Sequence, residues 1–99
     1  MCRTIAGNDC DMLIITNFNS SPEDIAERPA VILTGRVHPG ESNASYIMEG
    51  IIDYLISSDD PQSNLLRNRF VFKIVPMLNP DGVIVGNYRC SLSGLDLNR

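Results

Sequence analysis

Residues 31–41 read VILTGRVHPGE, an apolar run that ends at the single histidine of the sequence. His38 and Glu41 are three residues apart, where the run gives way to a helical pattern, so an imidazole and a carboxylate can face one point in space. This spacing is typical of metal ligands. Because catalytic zinc usually takes three protein ligands and leaves a fourth position for water, the stretch predicts two ligands of a zinc site and requires a third from elsewhere.

Three apolar runs predict the strands of an α/β fold. Residues 11–16 and 70–76 are rich in β-branched and aromatic side chains, and turn residues precede the first of them. Residues 30–37 are nearly all apolar, which is typical of a strand covered on both faces.

One long helix is predicted over residues 42–58, where apolar side chains recur with a period of 3.6 and form a stripe for core packing. Asp59-Asp60-Pro61 is expected to end it, because proline cannot continue a helix. Shorter helical turns are expected after Pro22 and over residues 62–68. From Met77 onward, turn residues predict a long loop with little regular structure, in which residues 79–82 (NPDG) form a turn.

Composition and charge limit the classes of function. The 99 residues carry a net charge of −4 and no basic stripe, so we expect no nucleic-acid partner. No window approaches the roughly 20 apolar residues of a membrane span, so no membrane partner is expected. Three cysteines without a signal peptide favour reduced thiols and a cytosolic location. The sequence stops within a motif-like run at residues 97–99, and we expect residues 1–99 to be part of one domain.

The predicted loop after the third strand carries Arg89, Asn98 and Arg99. Open α/β sheets bind ligands at the carboxyl ends of their strands, which is where His38 and Glu41 are expected. A guanidinium can hold a carboxylate bidentately, and a cation near a metal can stabilise an oxyanion. Spacing alone favours solvent-exposed arginines, whereas the cluster as a whole favours a binding site.

Two alternatives remain open. Residues 35–42 (GRVHPGES) fit the phosphate-binding pattern G-x-x-x-x-G-K-[ST] except at Glu41, where that pattern has lysine. A carboxylate there repels phosphates, so nucleotide binding is the weaker hypothesis. The other alternative is a non-catalytic truncated product that folds poorly or serves as a binding module.

Longer motifs resemble a known family. HPGE at residues 38–41, SNASYIMEG at 42–50 and the whole of 70–99 are similar to the cytosolic carboxypeptidases, a branch of the zinc carboxypeptidase superfamily. CRTIAGN at 2–8 and LIIT at 13–16 fit the same branch. The resemblance implies an α/β/α sandwich around a mixed sheet, of which this chain would be the first part.

The resemblance also implies roles for individual residues. His38 and Glu41 match the first two zinc ligands of the family, and Arg89 matches the arginine that stabilises the oxyanion. Asn98 and Arg99 match the pair that binds the substrate's terminal carboxylate. The family's third ligand, a histidine, and its general-base glutamate have no matching position, so we expect the chain alone to be inactive.

The substrate implied by the resemblance is a peptide that ends in glutamates. Members of this branch remove C-terminal glutamates from polyglutamate side chains or from the main chain, and tubulin is the leading target. Recognition of acidic tails requires cations near the substrate pocket, for which Arg36, Arg89 and Arg99 are the candidates.

Overall fold

A computed structural model describes residues 1–99. Five strands and four helices alternate irregularly along the chain: β1 (Cys2–Arg3), β2 (Asp9–Cys10), β3 (Leu13–Ile15), α1 (Pro22–Ala26), β4 (Ala30–Thr34), α2 (Asn43–Ile56), α3 (Pro61–Arg69), β5 (Val71–Val75) and α4 (Pro80–Val85). The predicted α/β class is confirmed. None of the helices is long and apolar enough to cross a membrane.

The main sheet has three strands in the order β3-β5-β4. The central strand β5 runs antiparallel to β3 and parallel to β4, so the sheet is mixed as predicted. In this register Phe72 lies between Ile15 and Val31. The strands β1 and β2 form a separate antiparallel pair. All three strands of the main sheet lie within the apolar runs that predicted them.

The core lies between one face of the sheet and α2. Its buried members come from β3, β5 and α2: Ile15, Met48, Leu55, Phe72 and Ile74. The expectation that the strand at residues 30–37 is covered on both faces is wrong for this structure. Val31 and Leu33 pack against the core, but Ile32 is 68% exposed. Successive side chains of a strand point to opposite faces, and Ile32 shares its face with Ile14 of β3, which is also exposed, so this part of the second face of the sheet is uncovered.

The apolar stripe of α2 is only partly buried. Met48 and Leu55 are buried, and Ile51 and Ile52 pack against the core at intermediate exposure. Ile47 and Ile56, which the stripe also predicted to be core residues, are more than half exposed. The stripe is therefore wider than the surface that the sheet and α3 cover.

The segment between α2 and α3 differs from the prediction. The helix α2 ends at Ile56, before the acidic pair, and Asp60 instead caps α3 by accepting from the Ser63 amide at 2.6 Å. Pro61 occupies the first turn of α3, where its missing N–H costs nothing. The Ser63 hydroxyl shares its one proton between the Leu55 and Ser57 carbonyls, at 3.2 and 2.9 Å, so a side chain of α3 satisfies carbonyls at the C-terminal end of α2.

A helix occupies part of the predicted loop after Met77. The Asn79 side chain accepts from the Gly82 amide at 3.0 Å and caps α4, and Pro80 lies in its first turn. Gly86, with φ of 86°, ends the helix in the left-handed conformation. The NPDG stretch is thus a helix start and not a free turn, since an asparagine cap followed by proline is typical of an N-terminus.

Candidate metal-binding site

His38 and Glu41 lie in the loop that joins β4 to α2. The His38 side chain is 8% exposed and that of Glu41 is half exposed, and His38 Nδ1 lies 3.1 Å from Glu41 Oε1. The Glu41 amide donates to the His38 carbonyl at 3.3 Å, which folds the chain back between the two residues. Glu41 precedes the helix, whose N-cap is Ser42. The predicted convergence of imidazole and carboxylate is present.

A second carboxylate, Asp96, faces the other side of the imidazole. Its Oδ1 lies 3.0 Å from His38 Nε2, and its Oδ2 accepts from Arg89 Nε at 2.7 Å. The Asn98 amide also donates to Asp96 Oδ1, at 2.9 Å. Sequence reasoning missed this residue. The available signal was that Asp96 is the only acidic residue after Asp81 and lies within the stretch that carries Arg89 and Asn98.

The surroundings of Asp96 keep it ionised. The Asn98 backbone N–H, followed by His38 and Arg89, holds the pKa of this carboxyl well below its usual range. An ionised carboxylate is a strong acceptor for an imidazole N–H. When the proton of His38 is on Nε2 it is donated to Asp96, and Nδ1 then carries the lone pair that a metal ion on the Glu41 side would need.

The donor atoms of His38 and Glu41 fit neighbouring positions around zinc. Zinc binds imidazole nitrogen and carboxylate oxygen at about 2.0–2.2 Å in tetrahedral geometry, which places adjacent ligand atoms about 3.3–3.6 Å apart. The observed separation is 3.1 Å. A carboxylate on the far nitrogen of a metal-binding histidine is also the usual arrangement. Asp96 lies on the opposite side of the imidazole from Glu41, and no group of three or more His, Cys, Asp or Glu side chains is arranged to hold one metal ion. The chain therefore offers two protein ligands.

Of the other predicted site residues, Arg89 and Asn98 are hydrogen-bonded to this cluster and Arg99 is not. Arg89 reaches it through Asp96, and Asn98 contributes its backbone N–H to the same carboxylate. Arg99 is not joined, since its Nη1 donates to the Asn98 carbonyl at 3.0 Å and no hydrogen bond links its guanidinium to His38, Glu41 or Asp96. The structure thus brings together four of the five predicted residues.

A buried asparagine holds the two loops of the site together. Asn79, 3% exposed, places its Nδ2 3.3 Å from both the Val37 and the Cys90 carbonyls. These carbonyls belong to the residues beside His38 and Arg89. The same side chain caps α4 through its Oδ1, so one amide fixes the histidine loop, the arginine loop and a helix start.

The backbone of the histidine loop is not arranged as a phosphate cradle. Several of its amides already donate to carbonyls of the protein. The pairs are Gly35 to Val75, Gly40 to Tyr88, Glu41 to His38 and Ser42 to Gly40. A phosphate-binding loop needs free amides that point at the ligand. This geometry opposes the nucleotide-binding hypothesis.

Comparison with known families agrees with the site geometry. The sequence pattern of the family described as zinc carboxypeptidase, peptidase M14, matches residues 1–99. The chain belongs to the zinc carboxypeptidase family. The resemblance inferred from the sequence motifs is therefore confirmed.

Individual zinc carboxypeptidases show how far the similarity extends. Cytosolic carboxypeptidase 2 of Mus musculus is 59% identical over 99 residues, which is all of this chain and 11% of that protein. A metallo-carboxypeptidase from Burkholderia cenocepacia superposes with a TM-score of 0.86 at 35% identity, over 98% of this chain and 26% of that one. A metallo-carboxypeptidase from Pseudomonas aeruginosa, solved in complex with (2-guanidinoethylmercapto)succinic acid, superposes with a TM-score of 0.83 at 31% identity. The match covers 97% of this chain and 24% of that one.

The chain therefore spans about a ninth of the mouse relative and about a quarter of the two solved metallo-carboxypeptidases. Their fold extends over nearly all of its residues. The predicted fold class, α/β with a mixed sheet of the zinc carboxypeptidase type, is confirmed.

Proposed function

We propose that residues 1–99 form part of the catalytic domain of a zinc metallocarboxypeptidase that removes C-terminal glutamates from glutamate-rich tails such as those of tubulin. The observation that carries the proposal is the imidazole of His38, held between the carboxylates of Glu41 and Asp96 at 3.1 and 3.0 Å. Together with family membership, this arrangement favours a metal-dependent hydrolase over the other hypotheses.

His38 and Glu41 are the residues that would hold zinc. His38 would bind through Nδ1, because Asp96 engages Nε2, and Glu41 through its carboxylate. When bound, zinc polarises a carbonyl and lowers the pKa of a coordinated water to about 7. No third ligand converges on this pair, so we propose that the third ligand and the general base come from outside these residues and that the 99-residue chain is inactive alone.

Arg89 is suited to stabilise a developing oxyanion. Asp96 accepts from its Nε at 2.7 Å, which orients the guanidinium beside His38. Neither of its terminal Nη atoms has a protein acceptor, so both can donate to substrate. A preoriented cation at this position acts mainly on the charge of the transition state.

Asn98 and Arg99 are suited to bind a terminal carboxylate. The Asn98 side-chain amide makes no hydrogen bond within the chain, and Arg99 uses only Nη1, toward the Asn98 carbonyl. Both residues are exposed. A guanidinium with free N–H groups matches a carboxylate bidentately. The Pseudomonas aeruginosa relative is described with a succinic acid derivative, a dicarboxylate, which supports carboxylate recognition in this family.

The proposed cytosolic location rests on the names of the relatives, and the proposed preference for glutamate rests on the resemblance of the sequence motifs and on charge. Relatives with more than half of their matched residues identical are named cytosolic carboxypeptidases. An acidic tail needs cations, and Arg89 and Arg99 are exposed ones in the region of the site. We therefore propose C-terminal peptide tails rich in glutamate as the substrate class.

The test is a chimera in which this chain replaces the matching segment of the mouse relative. We expect the chimera to release glutamate from a peptide ending in glutamates, to lose this activity with a chelator and to regain it with zinc. His38→Ala and Glu41→Gln should lose bound zinc and activity. The exposed Glu49 of α2, whose side chain makes no hydrogen bond or ion pair, offers a matched control, since Glu49→Gln should change neither.

The outcomes separate the parts of the proposal. Zinc and activity retained in His38→Ala would contradict the assignment of the site. Faster release of lysine or phenylalanine than of glutamate would contradict the substrate class alone. Release of glutamate by the 99-residue chain itself would contradict its proposed inactivity.

A further inference from the structure

We propose that Arg36 is a positioning residue that holds the His38–Glu41 loop in its metal-binding shape. This inference rests on the proposed function, because it concerns the same zinc site. It assigns to Arg36 a role different from that of a substrate-binding cation.

The backbone of Arg36 is strained. Its φ of 52° makes it the one non-glycine residue of the structure with positive φ, and all the others are glycines. In this region the side chain of an L-residue crowds its own backbone, so glycine is the easier choice. Strained residues persist where the surrounding structure over-determines them, and they cluster at functional sites. The side chain of Arg36 therefore has to make interactions that glycine cannot.

The guanidinium of Arg36 holds the middle of the loop. Its Nε and Nη2 both donate to the Pro39 carbonyl, at 3.1 and 2.7 Å. Its Nη1 donates to the Ser45 hydroxyl at 2.6 Å, and Ser45 lies in the first turn of α2. One side chain thus ties the residue next to His38 to the helix that follows Glu41.

Backbone hydrogen bonds fix the main chain of residues 35 and 36 against the segment that follows β5. The Asn79 amide donates to the Arg36 carbonyl at 3.1 Å, and the Leu78 amide donates to the Gly35 carbonyl at 2.9 Å. Both donors follow β5. The loop is therefore held on one side by the segment after β5 and on the other by α2, and Arg36 connects the two.

The chemistry of Pro39 explains why Arg36 fixes the loop through a carbonyl. Proline has no N–H, so its carbonyl is the only polar backbone atom through which this buried residue can be fixed, and Arg36 is its only donor in the structure. All acceptors of Arg36 are neutral, so the fork of N–H groups matters more than the charge. Lysine cannot reproduce this fork.

The experiment measures zinc affinity of the chimera by competition with a chromophoric chelator, together with the thermal midpoint of the metal-free protein. Arg36→Gly relieves the positive φ and removes the fork. We expect zinc affinity to fall about 10–100-fold, the range known for the loss of groups that orient metal ligands, with a metal-free midpoint that is not lowered. Arg36→Lys should lose affinity to a similar extent, and Arg69→Lys, an exposed arginine of α3, should lose none.

Ser45→Ala provides a second variant that leaves the backbone of residue 36 unchanged. It should weaken zinc binding several-fold, and the double variant with Arg36→Gly should bind zinc no more weakly than Arg36→Gly alone. Zinc affinity within twofold of the parent in Arg36→Gly would overturn the inference. A loss of affinity that parallels a lowered metal-free midpoint would also overturn it. A parent chimera that binds no zinc would instead overturn the proposed function.

Discussion

Gly82 lies in the first turn of α4, and a methyl group at this position has no room. A Cβ built on Gly82 would lie 2.4 Å from Cγ of Pro39 and 2.8 and 2.9 Å from the side-chain nitrogen and oxygen of Asn79. Pro39 and Asn79 are both buried, so neither can turn away into solvent. The added methyl group of Gly82→Ala would therefore clash both with Pro39 of the histidine loop and with Asn79, the cap of α4.

The expected loss of stability follows from three contributions. Overpacking a filled site costs about 1–3 kcal/mol. Weakening the cap that Asn79 provides costs about 0.5–2 kcal/mol. Alanine regains about 0.8–1 kcal/mol over glycine through helix propensity. We expect a net loss of about 2 kcal/mol in the free energy of unfolding, a shift in midpoint of roughly 1 M urea.

Urea unfolding followed by far-UV circular dichroism measures this loss, and Gly50→Ala is the matched control. Gly50 lies inside α2, and a Cβ there would meet nothing within 4 Å. The control should gain up to about 1 kcal/mol from helix propensity. The same substitution in two helices is thus expected to change stability in opposite directions. A Gly82→Ala protein as stable as the Gly50→Ala protein would refute the reasoning from contact distances.

Three further variants test other parts of the structure. Asp96→Asn should weaken zinc binding by the chimera about 10–100-fold without changing its circular dichroism, because His38 loses its ionised partner. The pKa of Asp81 is lowered first by the Thr4 hydroxyl and then by other hydrogen bonds from the turn between β1 and β2, so its contribution to stability is present at neutral pH and lost in acid. The difference in urea midpoint between parent and Asp81→Asn should therefore shrink as pH falls below about 4. Ser63→Ala should cost about 1 kcal/mol in urea unfolding, since the fully buried hydroxyl donates to two carbonyls at the end of α2.

Local pattern was sufficient to predict most of the fold. Apolar runs located the three strands of the main sheet, and a period of 3.6 located α2, because these signals depend on which side chains recur along one element. The helix α4 was missed because NPDG has the composition of a turn, and only the Asn79 side chain on the Gly82 amide decides that it starts a helix. The edge position of β4 was also missed, since strand order depends on distant pairings.

The candidate site was predictable in its chemistry but not in its connections. His38 and Glu41 follow from three-residue spacing, and Arg89 and Asn98 follow from family resemblance. Asp96 was missed because nothing local marks a carboxylate as the partner of an imidazole that precedes it by 58 residues. Arg36 was interpreted as a substrate cation, since its positive φ and its contact with Pro39 do not show in the sequence.

The sequence by itself determined the α/β class, the family and the residue types able to hold zinc, because these depend on composition, periodicity and motifs within short windows. Only the tertiary structure decided which groups meet: Asp96 with His38 and Arg89, and Asn79 with the two loops of the site. The physical reason is that a hydrogen bond or ion pair requires atoms within about 3 Å. Pairing of β4 with β5 places the ends of these strands side by side, and the loops that follow them carry residues far apart in sequence to within that distance.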